Sequence, residues 1–555
     1  MAFKYADHCK VLLVDDSAVL SQMLAGLLTS QGYRVTVAHS RQEALDLLRR
    51  ERFHVAVIDV RLGDSNPYNY EGLQLMYDLR ELDPSTGIVL LTLPADLDIA
   101  REAVFAVFGE LDPAFEVSGT LASIFLEKEP NALRTLPDHV RRIAEDVVHI
   151  NWGLQISDVQ QFVMRVPRRM PFNQGPEVAE LQEELDELLR KMFADHDGID
   201  IRTVEEQNQG YSRAFVFQVT SDGYPVMIAK VGERSIIEKE VRRFRDFIER
   251  WGRWGRNPRA LMSVRRTRNL GGMIYTFDGL DGSIRDFAQF FRNTRDSDHI
   301  GDVIGNLFLD TLAAEHGSRA RVHENVDLRP LYINLLRLDE EELEAKLDEL
   351  LVIARSVGRS NSLSQKFWFQ TETPLTNPLD FFHRGSFVSS LVETTIHGDL
   401  HLHNVLIDKC GETWLIDFAN TQRGPLLQDY VSFEASILIE NNEYPPGRTL
   451  FEWSQALFEH PGELFPMLPE KFLEVPELRK VYDAVLTVRQ LAFRDRLGGS
   501  QSTRSYLIGL FFTTLRLTTV KFLPPPKRFH ALVLSALIAE NLIAIDNGEA
   551  GTVLW

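Results

Sequence analysis

Residues 10–16 read KVLLVDD and residues 55–59 read VAVID, and the fold turns on these two runs. Each is a nearly continuous apolar run that closes on acid: Asp15 and Asp16 end the first, Asp59 the second. Unbroken Val, Ile and Leu is the pattern of a strand buried on both faces. Around them lie helical patterns, AVLSQMLAGLLTSQGY from residue 18 and QEALDLLRRE from residue 42, with strand-like RVTVA at 34–38. Strands alternating with helices predict a parallel sheet covered on both sides, a doubly wound α/β domain. Ligands on such sheets bind beyond the carboxyl ends of the strands. All three carboxylates fall there.

Two further runs extend the pattern. GIVLL at 87–91 is followed by Thr92, and FLEKEP at 125–130 carries Lys128. Three carboxylates, a hydroxyl and an ammonium would then gather on one rim. Grouped carboxylates repel unless a cation joins them, and magnesium prefers oxygen ligands. A metal there would set a phosphoryl donor in line with a carboxylate nucleophile. A single Asp after a strand is commonly only a helix N-cap; five such residues in this order are far more specific. They make residues 8–136 resemble the response regulator receiver family. The resemblance implies a five-stranded domain with Asp59 as phospho-acceptor and Asp15, Asp16 and Asp59 as metal ligands. It also implies Thr92 and Lys128 as the switch hydroxyl and lysine, with Phe125 as the switch aromatic. The loop at 61–72, RLGDSNPYNYEG, and the segment at 110–123 are longer than that family's usual connections.

The formal net charge of −20 argues against a general nucleic-acid binder, which neutralises phosphates with Lys and Arg. Two cysteines, Cys9 and Cys410, offer no disulfide framework. The start, MAFKYADHCKVLLVDD, lacks the basic-then-apolar order of a signal peptide. ALVLSALIAENLIAI at 531–545 reads as too short to span a bilayer and carries Glu540. These features predict a cytoplasmic protein with no membrane or nucleic-acid partner.

Residues 137–199 read as a helical linker. Val140, Ile143, Val147, Ile150 and Leu154 space at three and four, PRRMPFNQGP at 167–176 breaks the helix, and EVAELQEELDELLRKMF resumes it. Val178, Leu181, Leu185, Leu188 and Met192 have coiled-coil phasing, which suits a homodimer seam or an amphipathic helix lying on its own domain. Residues 200–282 are strand-rich and 283–555 mostly helical, as in a small sheet lobe followed by a larger helical lobe. The acidic run at 338–351 reads as the solvated face of a helix.

The most specific single motif is TIHGDLHLHNVLIDKCGETWLIDFAN, residues 395–420. Asn404 lies five residues beyond Asp399, and Asp417 ends the short strand TWLI. Phosphoryl transfer needs a carboxylate to orient the attacking hydroxyl and oxygen ligands for magnesium on the triphosphate. Asp399 suits the first task, Asn404 and Asp417 the second. The motif resembles the aminoglycoside and choline phosphotransferase branch of the protein-kinase-like fold. It is also similar to the ternary-complex-associated domains of bacterial signalling fusions. Gly424 and Asp429 continue the match, Asp429 at the position of a loop-stabilising aspartate. The resemblance implies an α+β bilobal domain that uses ATP and Mg2+.

Upstream, Gly210 and Ser212 in QNQGYSRAFVFQV would lie over the phosphates, and Lys230 in YPVMIAKVG would meet the α- and β-phosphates. Glu240, preferred over Glu238, would pair with Lys230, and the backbone at Tyr275–Phe277 would face adenine. His397, His401 and His403 have short spacings that suit zinc, although the Asp and Asn spacing already accounts for the segment.

The expectation is a two-component signalling protein. A sensor histidine kinase or small phosphodonor would phosphorylate Asp59, which controls transfer to an unknown hydroxyl or amine substrate. The competing expectation is a catalytically weak nucleotide- or ligand-binding scaffold that acts on a partner protein.

Overall fold

The computed structural model describes residues 5–63, 69–93, 96–97, 124–157, 162–164, 177–203, 214–249, 260–276, 284–355, 366–367, 374–445, 447–494, 502–521 and 523–549. They divide into two compact units. The first draws on Met1–Thr203, Ser212–Arg242 and Leu261–Thr276; the second draws on Val204–Tyr211, Arg243–Ala260 and Phe277–Trp555.

The first unit opens with five strands: β1 (Lys10–Val14), β2 (Arg34–Ala38), β3 (Val55–Asp59), β4 (Gly87–Thr92) and β5 (Ile124–Glu127). They form one parallel sheet in the order β2-β1-β3-β4-β5. The order reverses between β1 and β3, which opens the crevice at their carboxyl ends. Helices α1 (Ala18–Ser30), α2 (Arg41–Arg50) and α3 (Glu71–Leu82) cover it, α1 capped by Ser17 and α2 by Ser40. Alternate residues of β1 enter separate cores, Val11 and Leu13 in one, Leu12 and Val14 in the other. That is the two-faced burial expected from the unbroken apolar runs.

The anticipated boundary at residue 136 falls inside this domain. The helix Leu136–Arg142 and its wider-turned continuation to Val148 bury Leu136, Val140, Ile143 and Val148 in the same core as Val11 and Leu13. Among the described residues these side chains belong to this domain's core, which therefore runs on to residue 148.

The rest of the unit is a six-stranded sheet, ordered β10-β11-β9-β8-β7-β6. Its strands are β6 (Gln155–Ser157), β7 (Gly198–Thr203), β8 (Ala214–Thr220), β9 (Met227–Glu233), β10 (Ala260–Arg266) and β11 (Leu270–Thr276). The helix Val178–Met192 lies on it, with Leu181, Leu185, Leu188 and Met192 in one core with Phe217, Ala229 and Val231. The apolar seam from Leu181 to Met192 therefore faces its own sheet, while Val178 at its start is exposed. Because side chains alternate along a strand, Met227, Ala229 and Val231 of β9 face this helix and Lys230 faces away.

The second unit is mainly helical. Among the described residues three short antiparallel layers enter it: β12 (Arg285–Asp286) with β17 (Val405–Ile407) and β18 (Thr413–Leu415), β13 (Arg321–Asp327) with β16 (Val388–Ile396) and β19 (Gln422–Pro425), and β14 (Lys366–Phe367) with β15 (Leu375–Thr376). The late apolar stretch belongs to a helix, Pro525–Asp546, of 22 residues. It is thus long enough by length and composition to cross a membrane, contrary to the sequence expectation, and 67% of its apolar window is buried inside the unit.

Candidate functional site

Adjacent strands β1 and β3 run in register, with Val14 opposite Ile58. Asp15 and Asp59 therefore emerge side by side. Asp15, Asp16 and Asp59 offer carboxylate oxygens that all lie within 4.8 Å of one another. Asp15 and Asp59 are buried and Asp16 is exposed. Backbone N–H groups fix each: Ser17 donates to Asp15 at 2.9 Å, Gly63 to Asp16 at 3.0 Å and Arg61 to Asp59 at 3.2 Å. Lys128 Nζ donates to Asp15 Oδ2 at 2.9 Å and also to Asp59 Oδ2. Burial pushes the Asp59 carboxyl up to about 6, against the pull of Lys128 and with a further push from Asp15. A concave set of hard oxygen donors that repel one another fits a divalent cation of the magnesium type.

Thr92 ends β4, buried, with its hydroxyl donating to the Leu93 carbonyl at 3.1 Å. Its own carbonyl accepts from the Lys128 N–H at 2.9 Å, which ties the two residues together. Phe125 sits half-buried on β5 opposite Leu90. Of the two long connections, residues 110–123 and residues 64–68 of the loop after Asp59 lie outside the described residues.

Lys230 and Glu240 meet at 2.7 Å, both fully buried. Glu240 comes from the helix Arg234–Arg243. Glu238 turns to Arg266 instead, at 3.5 Å. Glu240 also accepts from the Tyr275 hydroxyl, a partner that spacing alone does not reveal. Gly210, Ser212 and Phe277 lie outside the described residues.

In the second unit the motif of residues 395–420 is a turn followed by a hairpin. Val405 faces Leu415 across β17 and β18, and Ile416 N–H donates to the Asn404 carbonyl at 3.1 Å. The register thus sets Asn404 next to the residue before Asp417. Asp417 stands in the left-handed region, φ 68° and ψ 66°. A non-glycine residue held there is a recurrent mark of functional sites. Asn404 Nδ2 donates to the Asp399 carbonyl at 2.8 Å, and Asn420 Nδ2 to the Asp399 carboxylate at 3.2 Å. Gly398, φ +79°, passes so close to the Asn420 carbonyl that a Cβ would meet it at 2.4 Å.

Asp429 anchors the turn. It accepts from the N–H groups of His397 at 2.9 Å and Gly398 at 3.0 Å, and pairs with His316 at 2.9 Å. Burial alone would raise its carboxyl, but the His316 hydrogen bond and the nearby His397 ring hold it below the ordinary value. The three histidines do not converge. His397 Nε2 meets the Ile416 carbonyl at 3.0 Å and His403 Nδ1 meets Asp286 at 2.8 Å. Among the described residues, the groups of three or more His, Cys, Asp or Glu side chains able to hold a metal are the Asp15 cluster and an exposed set of Glu340, Glu344 and His383. A zinc site at the histidines does not form. His316, Asn420 and Asp286 escape sequence reading because nothing in their spacing links them to residues 397–417.

Comparisons with known proteins place names on two segments. Residues 11–107 match the response regulator receiver domain, and residues 337–517 match ternary complex associated domain 9. Transcriptional regulatory protein GlrR of Escherichia coli K12 is 26% identical over 189 residues, which is 30% of this chain and 41% of that protein. The alginate biosynthesis transcriptional regulatory protein AlgB of Pseudomonas putida is 32% identical over 97 residues, 18% of this chain and 20% of that protein. The chain thus spans less than half the length of these relatives. A CheY-like receiver domain protein from Methanospirillum hungatei JF-1 is 21% identical, covering 25% of this chain and 95% of that one, with a TM-score of 0.20. The N-terminal domain of this chain is a response regulator receiver, joined in the same chain to a ternary complex associated domain 9.

Proposed function

We propose that phosphorylation of Asp59 controls an ATP-dependent phosphotransferase of the aminoglycoside and choline kinase type, built from residues 198 onward. The observation that carries this reading is the buried Lys230–Glu240 pair, because such a pair positions a lysine toward nucleotide phosphates in kinase folds. On this reading strands β7 to β11 form the small lobe and residues 283–555 the helical lobe. Asp399 orients the acceptor hydroxyl or amine, and Asn420 and the Asp429-anchored turn hold Asp399 in place. Gly210 and Ser212 would line the phosphates. Magnesium would be held by Asp15, Asp16 and Asp59 in the receiver and by Asn404 and Asp417 in the hairpin, where it neutralises phosphoryl charge. A sensor histidine kinase or a small phosphodonor would supply the phosphoryl group to Asp59, in the cytoplasm.

The test is ATP turnover by the full chain with magnesium, with and without beryllofluoride as a mimic of phosphorylated Asp59. Turnover that responds to the mimic and falls at least about a hundredfold in Asp417→Asn supports the reading. A second reading draws on the name of the family matched at 337–517, which speaks of association in a ternary complex. Magnesium-dependent ATP binding without turnover in either state would favour a ligand-binding scaffold that acts on a partner protein.

A further inference from the structure

The receiver touches the six-stranded sheet at the end of its own sheet farthest from Asp59. The contact is made by the loops entering β3 and β4, residues 51–54 and 83–86. Asp83 is buried and shaped from its own side: the N–H and hydroxyl of Ser85 donate to Oδ1 at 3.0 and 2.6 Å. Its other oxygen faces Arg268 Nε at 3.5 Å. Arg268 also donates to the Glu51 carbonyl at 3.1 Å and lies 3.9 Å from Glu180. One guanidinium therefore reads two receiver loops at once.

Arg268 belongs to the tight turn between β10 and β11, closed by Thr267 N–H donating to the Leu270 carbonyl at 2.8 Å. The next residue, Asn269, is gripped on two sides. Glu184, fully buried on the Val178–Met192 helix, accepts from its backbone N–H at 2.7 Å and from its side-chain amide at 3.0 Å. Its carbonyl accepts from the Arg234 N–H at 2.8 Å, the first residue of the helix that carries Glu240. Arg266, on the other side of the turn, pairs with Glu238 of the same helix.

The receiver end of the chain of contacts is equally direct. Gly72, at the start of α3, lies so near the Asp59 backbone that a Cβ would meet the Asp59 carbonyl at 1.8 Å, and its N–H donates to the Val60 carbonyl at 3.2 Å. A single helix, α3, then leads from Asp59 to Asp83, its C-cap. Packed helices move as bodies and do not deform continuously.

We propose that the Thr267–Leu270 turn is the coupling point through which α3 of the receiver sets the Arg234–Arg243 helix, and with it the Lys230–Glu240 pair. This rests on the nucleotide-binding reading of that pair only for its functional meaning; the mechanical link stands or falls separately. Arg268 and Asn269 are positioning residues, since neither touches the phospho-acceptor or Lys230.

The test is hydrogen–deuterium exchange of the full chain with magnesium, with and without beryllofluoride, alongside Mg-ATP affinity. In the native sequence, beryllofluoride is expected to change amide exchange in the Arg234–Arg243 helix by roughly fivefold or more, the low end of known couplings between sites. Arg268→Ala should cancel that change while the exchange response around Asp59 persists. Should Arg268→Ala fail to fold, Arg268→Lys, which keeps the charge but loses the two-loop fork, should reduce the response at the helix. An unchanged helix in the native protein, or an undiminished response in either variant, would overturn the proposal. An intact exchange response in a protein that binds no ATP would uphold the coupling and refute the nucleotide reading instead.

Discussion

Lys128 shares Asp15 and Asp59 at a rim where its side chain keeps 15% of its exposure, whereas Lys230 meets Glu240 at 1% and 0%. Both are ammonium groups hydrogen-bonded by carboxylates. At the rim, one further carboxylate, Asp16, crowds the contact and faces solvent. An incoming phosphoryl group or cation can exchange places with the ammonium there. In the sheet, Tyr275 also donates to Glu240, and both members of the pair are fully buried. The first pair is built to be rearranged, the second to be kept. Exposure, not chemistry, separates them.

The largest expected effect follows from sealing. Removing one partner of a buried pair leaves an uncompensated charge, which costs about 3–5 kcal/mol. Glu240→Ala should therefore lower the denaturant midpoint of the first unit sharply, and a midpoint within error of the native protein would erase the distinction drawn here. A pair of intermediate exposure sharpens it. Arg52 and Glu187 meet at 2.7 Å with 12% and 14% exposure. Burial would raise Glu187, but His54 and Arg52 prevail and hold it at about 2. A carboxyl depressed in the folded state stabilises fully above its unfolded value and loses that contribution as pH falls through the folded one. Stability of order 3 kcal/mol should thus disappear between roughly pH 4.5 and 2. Acid titration followed by circular dichroism should be shallower across that window in Glu187→Gln.

At the rim the sign reverses. Asp59→Asn removes one of three mutually repelling carboxylates, so without magnesium the receiver should gain at least about 1 kcal/mol, the repulsion of two charges about 4 Å apart even at the dielectric of water. The same variant should lose beryllofluoride binding, and a loss of stability instead would show that Lys128 outweighs the crowding. The smallest effect concerns the thiols. Cys9 is buried, and burial pushes it up to about 12, while Cys410 is exposed. A thiol reagent should titrate one cysteine in the native protein and two after unfolding, with Cys410→Ser leaving stability within about 0.5 kcal/mol.

Much of this was legible in the sequence. The acid-terminated apolar runs locate Asp15, Asp16 and Asp59 because a parallel sheet puts every strand's carboxyl end on one side. Glu240 was readable as the partner of Lys230 because of its place before a helical face holding Phe244. The linker was not legible in the same way. Leu181, Leu185 and Leu188 have a spacing that serves a second copy or a sheet equally well, and periodicity carries no information about which apolar surface is opposite. The packing of the helix after residue 136 was hidden for the same reason, since Val140 and Ile143 show an apolar face but not whose core it enters. Asn420, His316 and Tyr275 were invisible because their contacts join residues far apart in the chain.

The turn that Glu184 grips, and from which Arg268 reaches the receiver, has a consequence for how such a chain could be rearranged in evolution. A receiver exchanged as a cassette at residue 136 would leave behind the helix that completes its core, through Val140 and Ile143. It would also have to present a carboxylate and a free carbonyl to Arg268, as Asp83 and Glu51 now do. Inheritance of the receiver and of the six-stranded sheet should therefore be linked, with lineages retaining both or replacing both.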